Sequence, residues 1–73
     1  MMPSFDYTVN GEKLSSSFQF LTGMDVVEAA VDNPNAYQVQ SLQHGTVFGH
    51  EEEIDLTHDN QFILMLNTPT QVA

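Results

Sequence analysis

Three histidines, His44, His50 and His58, stand among Glu51, Glu52, Glu53, Asp55 and Asp59. Imidazole beside carboxylate is the donor chemistry of metal sites and of acid–base catalysis. The histidine spacings match no helical or hairpin ligand set, and structural zinc without cysteine is unusual in so small a chain. The acidic run also lacks the ligand spacing and central glycine of a calcium loop. The expectation is therefore no metal and no cofactor, with the acids forming either a solvated turn or a docking surface for a basic partner. Lys13 is the single ε-amine, and Ser15, Ser16 and Ser17 supply neighbouring hydroxyls. Cysteine is absent, which removes disulfides, thiolate ligands and any thiol nucleophile together.

These groups must be positioned by one small domain. At 73 residues the chain supports a single compact core. A hydrophobic content of 41% with five Phe and two Tyr is enough to build it. The formal charge of -9 repels phosphate backbones and anionic lipid heads, so neither nucleic acid nor membrane is an expected partner. No stretch approaches the roughly 18 apolar residues of a membrane span, and the first residues have no signal-peptide pattern. A cytoplasmic protein is expected.

Turn signals divide the chain. Phe5, Tyr7 and Val9 alternate with polar residues, the period of a half-buried strand. Asn10-Gly11 supplies the two positive-φ residues of a tight hairpin. A two-residue loop sets Tyr7 opposite Leu14 on the buried side and Thr8 opposite Lys13 on the wet side, with Asp6 diagonal to Lys13. The second strand is expected to continue through Ser15–Ser17 toward Phe18 and Phe20. "TGMDVVEAAVDN" reads as a helix with Thr22 as N-cap, Asp25 three residues on, and Met24, Val27, Ala30 and Val31 on one face. Asp32-Asn33-Pro34-Asn35 stops it.

Tyr37 to Leu42 then forms a strand with Val39 inward, Gln43-His44-Gly45 a turn, and Thr46 to Phe48 a short return strand. "HEEEIDLTHDN" is expected to be a turn or short helical crossover rather than a strand, because three consecutive Glu define no face; Ile54 and Leu56 pin it. Asp59-Asn60 turns the chain into the last strand, with Phe62, Leu64 and Leu66 on one side and Ile63 and Met65 on the other. This order of elements is most simply an α+β β-grasp: a mixed four- or five-stranded sheet on one helix, the final strand lying parallel to the first in mid-sheet. The five-residue apolar run Phe62–Leu66 suits that place. Residues 5–69 are expected to form the domain, between a disordered segment 1–4 and a flexible tail 70–73. One helix over a small sheet offers no evident catalytic cleft, so an enzyme is not expected.

"YTVNGEKL", "FLTGMDVVEAA", "YQVQSL", "EEEIDLT" and "NQFILMLNTP", in this order, resemble the bacterial ubiquitin-like domains of the multiubiquitin type. The likeness runs from about Phe5 to Pro69. It implies a protein modifier joined to targets through its C-terminus, in systems linked to defence against phage. The implied partners are proteins similar to ubiquitin-activating and ubiquitin-conjugating enzymes, a deconjugating protease, and the target proteins.

A modifier must place its terminal carboxylate in an activating enzyme's narrow channel, where ATP converts it to an acyl adenylate before transfer to an enzyme cysteine. On this reading Val72 and Ala73 are the conjugation residues; on the plain reading Thr70 to Ala73 is an ordinary chain end. The ending Val72-Ala73 departs from the Gly-Gly of ubiquitin, and the β-branched Val72 narrows the fit. Ile63 and Met65, with Leu42 and Val47 if these lie beside them, would form an exposed apolar patch like the one by which ubiquitin is recognised; the alternatives are strand filler or a dimer contact. Lys13 is either a chain-linkage acceptor or a solvated hairpin residue. Two rival functions keep the same fold: a non-conjugated interaction module, and a sulfur carrier, which normally ends in Gly-Gly.

Overall fold

The computed structural model describes residues 3–66. Its first elements are the strands β1 (Phe5–Val9) and β2 (Glu12–Ser16), β3 (Phe20–Thr22) and the helix α1 (Gly23–Ala30). They are followed by a 3-10 turn (Pro34–Ala36), then β4 (Tyr37–Ser41), β5 (Val47–Phe48), β6 (Glu53–Asp55) and β7 (Gln61–Leu66). Five strands form one mixed sheet in the order β2-β1-β7-β4-β5, and β3 pairs with β6 in a separate ribbon. The sheet packs against α1 in a β-grasp-like arrangement, as the order of sequence signals requires. No helix among the described residues is long and apolar enough to cross a membrane.

The opening hairpin follows its turn chemistry. Asn10 (φ 53) and Gly11 (φ 84) take the two positive-φ positions, which pairs Tyr7 with Leu14 and Thr8 with Lys13. Helix α1 begins with a complete capping box. The Thr22 hydroxyl accepts from the Asp25 amide at 3.1 Å, and the Asp25 carboxylate accepts from the Thr22 amide at 3.0 Å. After Ala30 the chain turns extended at Val31, whose amide still donates to the Val27 carbonyl.

The fully buried residues of α1 are Gly23, Val26 and Val27; Val27, Ala30 and Val31 of the expected stripe reach the core, while Gly23 and Val26 take the place expected of Met24. Gly23, without a side chain, packs directly against the backbone of Phe48 and Gly49. Val26 and Val27 then meet Tyr7, Val9, Val39, Ile54, Leu56 and Phe62 in one core, with Ala30 and Val31 packed at its margin. Phe62 is the hub, fully buried and in edge-to-face contact with Tyr7 and Phe48 at centroid distances of 6.2 and 6.5 Å.

Two expectations fail together. The second strand does not run on to Phe18 and Phe20; it stops at Ser16, whose hydroxyl accepts from the Phe18 amide at 2.9 Å and donates to its carbonyl at 3.0 Å. A serine closing such a turn offers the backbone an alternative to ladder pairing. The acidic segment does contain a strand, β6, which pairs Phe20 with Asp55, Leu21 with Ile54 and Thr22 with Glu53. The run of glutamates masks a three-residue alternation of exposed Glu53, buried Ile54 and half-buried Asp55. The resulting ribbon anchors Ile54 in the core and leaves Phe18 and Phe20 largely exposed.

Strand β7 lies in mid-sheet between β1 and β4, parallel to β1. Its register with β1 covers only Thr8–Gln61 and Val9–Phe62, whereas its register with β4 runs from Phe62 to Leu66. Asn10 completes the β1 side: its amide donates to the Phe62 carbonyl at 2.9 Å, and its side-chain oxygen accepts from the Leu64 amide at 3.1 Å. Phe62 and Leu64 face the core as expected, but Leu66 is 67% exposed at the end of the sheet.

Candidate interaction surface

Alternation along paired strands fixes which side chains share the sheet face away from α1. Tyr7, Val9, Val39 and Phe62 belong to the core, so Thr8, Gln38, Gln40, Gln61, Ile63 and Met65 point to the other side. Cross-strand pairing then sets the rows. Val47 lies beside Gln40, which lies beside Ile63, and Gln38 lies beside Met65. Leu42 follows β4, and its amide donates to the Gln61 carbonyl at 2.7 Å. This places Leu42 diagonally next to Ile63. Gln61, Thr8 and Lys13 continue that row toward the sheet edge.

The fold thus brings Leu42, Val47, Ile63 and Met65 onto one open face. Leu42 is 56% exposed, Val47 40% and Met65 37%, and Ile63 is half-buried. Glutamines separate the apolar side chains within the rows, and the Gln40 amide is held by the Gly45 carbonyl at 3.1 Å. An apolar cluster with a neutral polar surround and a single cation, Lys13, at its border is chemistry suited to a protein partner. Lys13 is exposed, and Asp6 lies on the same face two pairs further along the hairpin. Val72 and Ala73 lie outside the described residues.

Much of the acidic segment has structural work within the fold. The Glu52 side chain accepts from the Gly49 amide at 2.7 Å, and its carbonyl accepts from the Gly23 amide at 2.9 Å. Asp55 accepts from the Thr57 hydroxyl at 2.7 Å, the Gln19 amide nitrogen at 3.1 Å and the Thr57 backbone amide at 2.9 Å. The hydrogen bonds from Thr57, and then that from Gln19, hold its carboxyl below the ordinary aspartate range. His50 contacts the Tyr37 carbonyl through Nε2 at 2.6 Å.

His44 and His58, which sequence spacing leaves unrelated, come together between two turns. Their rings stack at 4.3 Å with planes 4° apart. Both adjoin Asp59, which is only 4% exposed. One Asp59 oxygen accepts from the Ser41 hydroxyl at 2.5 Å and contacts His44 Nδ1 at 2.5 Å. Burial opposes ionisation of Asp59, yet the bonds from Ser41 and His44 and the nearby imidazoles outweigh it and hold its carboxyl below the usual range. The Ser41 hydroxyl also accepts from the backbone amides of Gln43 and His44, each at 3.2 Å. It serves as a structural clasp, with its proton directed to Asp59 rather than to His44. The sequence signal for this network is faint: Asp59 reads as a turn residue and Ser41 as an interior strand position.

In comparisons with known proteins, no protein-family model, curated protein or solved structure matches the chain.

Proposed function

We propose that the chain is a ubiquitin-like protein modifier, activated at the carboxylate of the chain end that follows β7 and recognised through its open sheet face. The observation that carries this reading is the setting of β7. A central strand, buried at Phe62 and clasped by β1 and β4, gives way at Leu66 to an exposed position at the sheet's end. That arrangement suits a rigid body which must present the residues after β7 to a narrow enzyme channel. The resemblance of the sequence to bacterial multiubiquitin-type domains gives the reading its chemistry and its setting, a cytoplasmic antiphage system.

The carboxylate attacks the α-phosphorus of ATP, forming an acyl adenylate and releasing pyrophosphate. An enzyme thiolate then displaces AMP to give a thioester, and a target amine displaces the thiol. The fold's role is presentation and recognition; the catalytic groups belong to the enzymes. The test is incubation of the chain with ATP and an activating-enzyme-like protein of the multiubiquitin type. A thiol-sensitive adduct, lost on deletion of Val72-Ala73, is the expected result. Absence of any adduct with an enzyme that forms adenylate from another acceptor would overturn the reading.

A second reading, a non-conjugated interaction module, is favoured by the open apolar face itself. Exposure of Leu42, Val47 and Met65 needs only a partner, with no chemistry at the chain end. Stable binding of the activating-enzyme-like protein without an adduct would support this module.

A further inference from the structure

The turn between β4 and β5 and the loop between β6 and β7 meet at one end of the sheet, bringing together His44, His58 and Asp59. One ligand atom from each residue lies within 4.8 Å of the other two. We propose that these three side chains bind a divalent cation of the zinc class, independently of any role for the chain end.

The donor set is the first argument. Two imidazole nitrogens with one carboxylate oxygen suit zinc and its borderline neighbours, and three protein ligands leave a position for water. Hard cations such as magnesium prefer all-oxygen surroundings. The second argument is the support behind the carboxylate. Asp59 is buried, and the hydroxyl that steadies it is itself fixed, because Ser41 Oγ accepts from two backbone amides while donating to Asp59. Such outer contacts orient a ligand before the ion arrives.

The third argument is the room for adjustment. Ligands about 2.0–2.2 Å from zinc lie closer to one another than 4.8 Å, and the lone pairs of two parallel rings do not converge. His44 and His58 are both exposed, so rotation of either ring into the space above Asp59 meets little obstruction. His44 Nδ1 and the Asp59 oxygen are already 2.5 Å apart, so the carboxylate and one imidazole stand side by side before an ion arrives. Binding therefore unstacks the rings and ties the β4–β5 turn to the loop that feeds β7.

The test is titration of the full chain, without an affinity tag, with zinc chloride. Calorimetry gives the stoichiometry, and imidazole nitrogen NMR identifies the rings involved. The expected result is one saturable ion per chain, with resonance changes at His44 and His58 but not at His50, unaffected by a large excess of magnesium. His58→Gln, which removes an exposed ring outside the Asp59 hydrogen bonds, should weaken binding at least tenfold with the fold retained by circular dichroism. His50→Gln should leave the affinity unchanged. Absence of saturable binding, displacement by magnesium, or an unaltered affinity in His58→Gln would overturn the assignment, since each points to diffuse attraction by the acidic surface.

Discussion

Replacing Gly23 by alanine separates two physical effects of opposite sign. Helix propensity alone favours alanine over glycine by up to about 1 kcal/mol, which makes Gly23→Ala a stabilising change on that basis. The surroundings of Gly23 reverse the sign. A Cβ there would lie 2.2 Å from the Gly49 carbonyl oxygen and 3.0 Å from its carbon, both backbone atoms. Relief requires α1 and the loop to part by roughly 1 Å, a shift that close-packed interiors resist. The same separation lengthens the bonds from the Gly23 amide to the Glu52 carbonyl (2.9 Å) and from the Met24 amide to the His50 carbonyl (3.0 Å). Overpacking of about 1–3 kcal/mol and two hydrogen bonds of about 1 kcal/mol each, less the propensity gain, leave a loss of roughly 2–4 kcal/mol. A chain of this length holds only about 4–11 kcal/mol in all. Thermal unfolding followed by circular dichroism should show Tm lowered by more than about 10 °C. An unchanged or raised Tm would refute the close approach of α1 to the β5–β6 loop.

Three further outcomes are expected. Ser41→Ala removes the clasp on buried Asp59 and should cost about 1–3 kcal/mol in urea unfolding; a loss under about 0.5 kcal/mol would mean that the bond has little net worth. Burial, and secondarily the charge of Asp25, raises the Tyr7 phenol above its ordinary value. Its contribution is therefore full below the unfolded value of about 10 and is lost as pH rises through the folded value. Tyr7→Phe should flatten the fall in stability above pH ~10, and parallel profiles for the two proteins would count against that burial effect. The double change Ile63→Asp with Met65→Asp should weaken adduct formation or partner capture at least tenfold, about 1.4 kcal/mol. Full retention of binding by a folded double variant would remove the open face from the account.

Much of the fold is legible in local signals because each acts over a few residues. Asn10-Gly11 sets the hairpin register, Thr22 and Asp25 set the helix start, and the Phe62–Leu66 run marks the central strand. The four residues of the apolar patch also follow from strand parity once the sheet order is known. The ribbon of β3 and β6 is not legible, because each strand has three residues and the two are joined only by distant pairing. The burial of Gly23 escapes periodicity for a related reason: it depends on Gly23 meeting Gly49 across the fold. The His44–His58–Asp59 group is hidden similarly, since two turns remote in sequence become neighbours only when β4 and β7 pair.

The proposed modifier role requires that this chain be joined covalently to other proteins through its terminal carboxylate. The most direct measurement is mass spectrometry of N-terminally tagged chain recovered from cells that also produce activating-enzyme-like and conjugating-enzyme-like proteins of the multiubiquitin type. The account requires an acyl bond between the terminal carboxyl carbon and an amine or hydroxyl of another protein. Recovery of the chain solely with a free carboxylate, from cells in which those enzymes are active, would contradict it.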